Sequence, residues 1–360
     1  MATAEPIRLG VLGLGRAGYG MIAREVQGRE HLFQVVAGCD LVPEKRKRFS
    51  DAYGCATCER MEDLLADASV ELVVVATRSS DHADHAARAL KARKAVFLEK
   101  PMSVTYAEAK RLAALAKRVK GRLFIRHNRR FEPGFMHIRE IIASGILGQV
   151  VEVKLSRTSF ARRNDWQTIL EFGGGQLLNW GPHIVEHGLR LLEAPVASQW
   201  SALRRIAAVG DAEDHLKIVL VGTNGRIVDI EISGGAAIKT PEYVIWGTRG
   251  GLECTGDQIA LRYLDPKVRL APRKAERGDP GTTFGTPEEL PWMEETIQAN
   301  PSSPTDIWQE LYAAVREGKR FPISLEQALE VMKVITASRR GTPFQPKPRT
   351  RPKAKRRPRR

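Results

Sequence analysis

The segment Gly13-Leu14-Gly15-Arg16-Ala17-Gly18 constrains the fold more than any other part of this 360-residue chain. It fits G-x-G-x-x-G, follows the apolar stretch Ile7–Leu12, and opens a helical pattern running to about Gln27. In such a strand–turn–helix the first glycine permits the tight turn. The second lets a phosphate approach the backbone, and the third lets the helix pack on the strand. The backbone N–H groups near Arg16 and Ala17 then face an anion at the helix N-terminus. Asp40 ends the next strand candidate, Phe33–Cys39, 22 residues beyond Gly18. A carboxylate there accepts hydrogen bonds from a ribose diol and repels a 2′-phosphate, so the pattern predicts an NAD site. The run Lys45-Arg46-Lys47-Arg48 keeps NADP open, because one of these cations could turn back onto a phosphate.

The pattern continues in the same style. Pro43–Tyr53, Asp81–Ala92 and Tyr106–Val119 read as helices. Glu71–Thr77, Ala95–Leu98 and Arg122–Ile125 read as strands. The run Leu72-Val73-Val74-Val75 is apolar on both faces, as in a parallel sheet covered on both sides. Strands alternating with helices predict a doubly wound parallel sheet over residues 1–126. Beyond that the rhythm changes. Gly134–Ser144 reads as a helix, and Val150–Ser159 as a strand with Val151, Val153 and Leu155 on one face. His215–Val221, Ile227–Ser233, Tyr243–Gly247 and Ile259–Leu264 follow without long helices between them, which predicts a mostly antiparallel sheet. Leu264–Leu290 reads as an excursion, and helices near Ile307–Glu317 and Leu325–Arg339 close an α/β domain over residues 127–345.

The charge is unevenly placed. Nine of the fifteen excess positive charges fall between Lys347 and Arg360, which leaves +6 for the rest. Residues 346–360 are rich in proline, lack acids and have almost nothing apolar to bury, so they are expected to be disordered. Such a tail either solubilises the chain or makes weak, salt-dependent contacts with polyanions. No apolar stretch approaches the ~20 residues of a membrane helix. The first residues lack a basic patch followed by an apolar core, so a cytoplasmic location is expected. Cys55 and Cys58 form a C-x-x-C with no second pair nearby, which favours free thiols and predicts no metal site.

Two distant segments carry the chemistry. Glu99-Lys100-Pro101 ends a strand, where open α/β sheets place their ligands. Far downstream, Gly173-Gly174-Gly175 leads into a helical stretch with Asn179 and His183 at i and i+4, on one helix face. With Asn128–Pro133, Gly148, Glu213-Asp214-His215 and Trp246–Gly251, these motifs resemble the glucose–fructose oxidoreductase / inositol dehydrogenase / rhizopine-catabolism (Gfo/Idh/MocA) family over about residues 5–342. The resemblance implies a second domain with a large sheet that carries the substrate pocket and often an oligomer interface. It implies reversible hydride transfer between the nicotinamide and a hydroxyl carbon of a sugar, sugar derivative or cyclitol.

Lys100 matches the family's active-site lysine and His183 its catalytic histidine, while Asn179 stands where many members have aspartate. Asparagine can orient an imidazole but not stabilise its charge, although Glu186 or His187 could compensate. Thr77, His82, Glu99 and Lys100 join Gly13, Gly15, Arg16, Ala17, Gly18 and Asp40 as expected cofactor contacts. His82 is equally placed to cap the helix after Thr77. Asp165 and Trp166 are candidates for the substrate wall beside Lys100, Asn179 and His183, in a segment that could equally be a surface loop. Partners expected are a small polyol or sugar and further copies of the chain. Related members that cycle a tightly held NAD internally, and non-catalytic NAD-binding regulators, mark the alternatives.

Overall fold

The computed structural model describes residues 5–275, 277 and 288–346. The expected basic tail therefore lies outside the described residues, apart from Pro346.

The first sheet has six parallel strands: β1 (Ile7–Leu12), β2 (Phe33–Cys39), β3 (Ala56–Cys58), β4 (Leu72–Val75), β5 (Ala95–Glu99) and β6 (Leu123–Arg126). Their spatial order is β3-β2-β1-β4-β5-β6, so the order reverses between β1 and β4. Ligands of open α/β sheets bind at that switch point, outside the carboxyl ends of the strands. The helices are α1 (Pro43–Tyr53), α2 (Met61–Ala66), α3 (His82–Lys91) and α4 (Tyr106–Arg118). All four residues of β4 are fully buried, as their unbroken apolar run requires. Helix α4 begins with a capping box, Thr105 and Glu108 each satisfying the other's backbone N–H. The short β3 and α2 have no sequence pattern strong enough to announce them. β3 places Cys58 opposite Cys39 of β2, so the C-x-x-C is split between a strand and the loop before it, and all four cysteines are free thiols.

One helix differs in kind from expectation. The segment after the glycine turn, Gly18–Ala23, is a π-helix, in which Ile22 N donates to Ala17 O at 2.9 Å. Gly18 and Gly20 supply little α-helical preference to hold the narrower winding.

The second sheet has eight strands: β7 (Val150–Thr158), β8 (Val196–Arg204), β9 (His215–Gly222), β10 (Ile227–Ser233), β11 (Tyr243–Gly247), β12 (Gly250–Thr255), β13 (Gln258–Leu264) and β14 (Trp292–Gln298). Their order is β14-β13-β12-β11-β7-β10-β9-β8, antiparallel except for the β7–β10 pair. The helices of this part are α5 (Pro133–Ser144), α6 (Gln176–Asn179), α7 (Gly181–Leu192), α8 (Ile307–Arg316) and α9 (Leu325–Arg339). Val153, Leu155, Ile218, Leu220, Ile230 and Ile245 form the buried face against the helices, while Glu152, Lys154, Lys217 and Asp229 face outward. Val151 does not share the buried face with Val153. Trp246 pairs with Glu152 and Gly247 with Val150, so Val151 is the extra residue of a bulge and is exposed.

The chain returns to the first sheet late. Trp308 of α8 sits edge-on to Phe33 and to Phe97, each at 5.2 Å between centroids, and Phe321 sits on Phe124. Arg316 seals the contact with a bidentate pair to Glu71 at 2.8 and 2.9 Å. Among the described residues no helix is long and apolar enough to cross a membrane.

Candidate active site

The glycine turn leaves β1 at the switch point. Gly13 has φ +91°, and a Cβ there would stand 2.8 Å from the Ala76 carbonyl oxygen. A Cβ on Gly18 would fall 1.9 Å from the Gly13 carbonyl oxygen, so that carbonyl lies directly against the helix. A Cβ on Gly15 would meet nothing within 4 Å: its backbone borders open space. Arg16 and Ala17 lead into the π-helix. Asp40 is tied to the turn, its carboxylate accepting from Leu14 N at 2.8 Å and Val42 N at 3.0 Å. Lys45 Nζ lies 3.6 Å from it.

Beyond β4, Thr77 bonds His85 Nδ1 through its hydroxyl at 3.0 Å. His82 is fully enclosed, with one ring nitrogen 2.7 Å from the Pro101 carbonyl and the other 3.2 Å from the Thr77 carbonyl. Burial holds its pKa down, so a neutral ring donates to one carbonyl at a time and ties the turn after β4 to the turn after β5.

Lys100 stands just past the end of β5, half-buried. Its Nζ donates to the Asn179 backbone carbonyl at 2.8 Å. Burial is the main reason its pKa falls to about 8; Glu99 opposes the fall, and Arg126, Arg129 and Arg16 add to it. Glu99 is itself committed. Arg126, 1% exposed, donates to it at 2.6 Å and to Glu25 through its other nitrogen, and Glu25 accepts from Trp308 Nε1 at 2.8 Å. This network links Glu25, just past the π-helix, with β5, β6 and α8.

Asn179 and His183 do not share one helix. α6 ends at Asn179 and α7 begins at Gly181, because Pro182 has no N–H to give the preceding turn. The Asn179 side-chain oxygen accepts from Gln167 Nε2 at 3.3 Å rather than serving the imidazole. Gln167 in turn accepts from Arg163, and from Arg16 of the glycine turn at 3.5 Å. His183 is 6% exposed, and its Nδ1 has no hydrogen-bond partner. Burial first, then Lys100 and Arg129, hold its pKa well below the usual histidine value, so the ring is neutral.

Asp165 is engaged locally rather than with Lys100 or His183. It pairs with Arg163 at 2.6 Å and caps the short turn at Trp166 by accepting from Gln167 N. Trp166 is half-buried. Glu186 forms a buried pair with Arg130, and His187 bonds the Tyr243 hydroxyl at 3.0 Å, so both are engaged elsewhere. Among the described residues no group of three or more His, Cys, Asp or Glu could hold a metal ion.

Comparison with known proteins agrees with this geometry. Residues 7–127 match the oxidoreductase family with an NAD-binding Rossmann fold, and residues 135–253 match the GFO/IDH/MocA C-terminal domain. An inositol 2-dehydrogenase of Rhizobium meliloti (strain 1021) is 31% identical over 68% of this chain and 74% of its own length. This chain belongs to the Gfo/Idh/MocA family of NAD-binding oxidoreductases. A scyllo-inositol 2-dehydrogenase (NADP(+)) of Bacillus subtilis (strain 168) is 25% identical over 93% of both chains. The crystal structure of an NAD-binding protein from Listeria innocua superposes with a TM-score of 0.81, covering 94% of this chain and 97% of the other at 23% identity.

Within this family member, several site groups escaped the sequence reading. Gln167 lay in a segment of the right composition, but only the fold shows that it reaches Arg16 and Asn179. Arg129 and Arg157 both lie over the Trp180 ring, at 4.3 and 4.1 Å, beside His183. Arg126 looks like any strand residue until the β5–β6 register sets it against Glu99.

Proposed function

We propose that this protein is an NAD-dependent dehydrogenase that oxidises a hydroxyl carbon of a cyclitol, sugar or sugar derivative. The observation that carries the reading is the 2.8 Å bond from Lys100 Nζ to the Asn179 carbonyl, which sets the lysine at the end of β5 against the segment that leads into α7 and His183. A dinucleotide suits the turn: Gly15 leaves open space at the backbone, and Gly13 and Gly18 are conformations and contacts that a side chain would spoil. Gly13, Gly15, Arg16, Ala17, Gly18, Asp40 and Thr77 would hold it, with Glu99 and His82 fixing the strand ends behind it. The Asp40 carboxylate favours NAD, while Lys45 at 3.6 Å is the group that would tolerate a 2′-phosphate.

Bound nicotinamide supplies the hydride acceptor; the rest is the work of this chain. The Lys100 ammonium donates a hydrogen bond to the substrate oxygen and stabilises the charge that grows there as its proton leaves. The neutral His183 ring accepts that proton. Its depressed pKa keeps the free ring unprotonated and makes it a weak base that releases the proton quickly. Gln167 holds the Asn179 side chain and so keeps the carbonyl that positions Lys100 in place. Asp165 and Trp166 form the rim of the substrate side.

A second reading has its own support. Phe172 O accepts from Ser80 N at 3.3 Å, Arg78 lies over the Phe172 ring, and Gln167 meets Arg16, so residues 167–172 lie across the first domain beside the turn. A cofactor under that crossing would exchange slowly, as an enzyme that oxidises and re-reduces its own NAD requires. The exposed Trp200, Trp246 and Trp292 on the outer face of the second sheet support a homo-oligomer, which sedimentation would test.

The experiment is nicotinamide absorbance of the purified protein with NAD or NADP and a panel of cyclitols, aldoses, sugar acids and glycosides. Steady reduction with one class establishes the dehydrogenase. Conversion of a glycoside without net reduction establishes the internal cycle instead.

A further inference from the structure

Trp180 stands between the two residues around which the candidate site is built. Asn179, just before it, gives its backbone carbonyl to Lys100, and His183 follows it on α7. The indole meets the His183 ring edge-on, with centroids 6.0 Å apart. Two guanidiniums lie over this same indole. Arg129, from the turn after β6, is 4.3 Å from the ring centre, and Arg157, near the end of β7, is 4.1 Å from it. One segment from each sheet thus brings an arginine to a single aromatic ring beside the imidazole.

An arginine stacked on an aromatic face is held through its π-surface, which leaves the N–H groups in its plane free to bond. A guanidinium has five such donors. Each of these two spends only Nη1, Arg129 on Glu132 and Arg157 on Glu242, the latter at 2.7 Å. Among the described residues no other acceptor meets their side-chain nitrogens, and the side chains are 29% and 39% exposed. Charge is unmatched at one place nearby. The two glutamates match the two arginines, Asp165 matches Arg163, and Glu99 is bonded to Arg126. Lys100 has a backbone carbonyl as its partner and no carboxylate of its own. The charge of Arg129 acts on both Lys100 and His183, lowering the pKa of each.

A neutral polyol would leave that charge and those donors unmatched. A planar carboxylate answers both: its two oxygens take a pair of in-plane N–H groups, and its single charge offsets one ammonium. A phosphate monoester would bring about two charges to a site with one to spare. We infer that the substrate is a sugar or cyclitol acid whose carboxylate is held by Arg129 and Arg157, while Lys100 and His183 meet the hydroxyl carbon to be oxidised. The inference rests on the dehydrogenase reading above and narrows it to one class of substrate. The two arginines select the substrate, and the chemistry stays with Lys100 and His183.

The test reads binding selectivity directly. The full-length protein, saturated with NADH, is titrated calorimetrically with D-glucuronate, D-galacturonate, D-glucose, D-galactose, myo-inositol and, as the phosphate arm, D-glucose 6-phosphate. At least one uronate is expected to bind about 10- to 100-fold tighter than its neutral sugar, the worth of hydrogen bonds to a charged group. Arg157→Met should erase that preference and leave the affinity for the neutral sugar as it was. Arg157→Lys keeps the charge without the fork and should retain only part of the preference. Glu242→Gln removes a competing carboxylate and should strengthen uronate binding alone. A neutral sugar or cyclitol bound as tightly as the uronates, a preference for the phosphate, no uronate binding, or a preference that survives Arg157→Met overturns the inference. Uronate binding that depends on Arg157, with no NADH formed when NAD replaces NADH, would count against the dehydrogenase reading alone. If Arg157→Met does not fold, the wild-type panel with Arg157→Lys and Glu242→Gln still decides.

Discussion

The glycine turn and the Lys100–Asn179–His183 cluster lie at the same end of the first sheet, yet they are held by different physics. The turn is local: six consecutive residues whose backbone leaves room for a ligand because three of them lack a Cβ. The cluster is assembled. Lys100 and Asn179 are 79 residues apart, and what joins them is a hydrogen bond made in a partly buried, cation-rich setting. Local backbone shape is written in a motif. An electrostatic environment is written only in the packing of distant segments, and it can be altered from far away.

The largest effect should come from the support behind the cluster. Arg126→Met leaves Glu99 buried without its partner, and loss of one member of such a pair costs about 3–5 kcal/mol. Urea unfolding should show this, and a stability unchanged from wild type would mean the network does not hold β5 and β6. Next comes the turn. Gly18→Ala sets a methyl group against the Gly13 carbonyl, backbone that cannot swing aside, and should cost about 3 kcal/mol or more. Retention of both stability and NAD binding would contradict the close approach.

Chemistry at the cluster ranks third. Lys100→Ala and His183→Ala should each lower turnover about 10²-fold or more with folding intact. Full activity in His183→Ala would remove it as the base.

The pH profile sharpens the same contrast. Lys100 falls from its ordinary 10.5 to about 8, chiefly through burial. Rate should be level up to about pH 8 and then fall about tenfold per unit as the ammonium is lost. The stability term has the opposite sign. Between the two values the unfolded chain binds the extra proton, so this contribution to stability rises with pH across that window. A rate that climbs above pH 8 would make Lys100 the base instead. The smallest effect belongs to Gly15→Ala, which meets nothing in the protein and should leave stability within about 0.5 kcal/mol.

The same contrast explains what could be read from sequence. The parallel sheet was legible because Leu72–Val75 and its neighbours carry burial on both faces, and α1, β2, β10 and α9 keep the bounds their patterns give. The edge strands β8 and β14 were not, since mostly exposed strands show no apolar alternation. Lys100 and His183 were legible as candidates through motifs. The orientation of Asn179 was not, because Pro182 breaks the helix and Gln167 competes for the side chain. The role of Arg126 depends on strand register, which no spacing along the chain reveals.

The claim that the two halves are separable is tested most directly by calorimetric titration of NAD into wild type, Gly15→Ala and the double variant Lys100→Ala/His183→Ala. The account predicts affinity within a few-fold of wild type for the double variant. It predicts a loss of about tenfold or more, roughly 1.4 kcal/mol, for Gly15→Ala. Loss of NAD binding in the double variant with wild-type affinity in Gly15→Ala would contradict it.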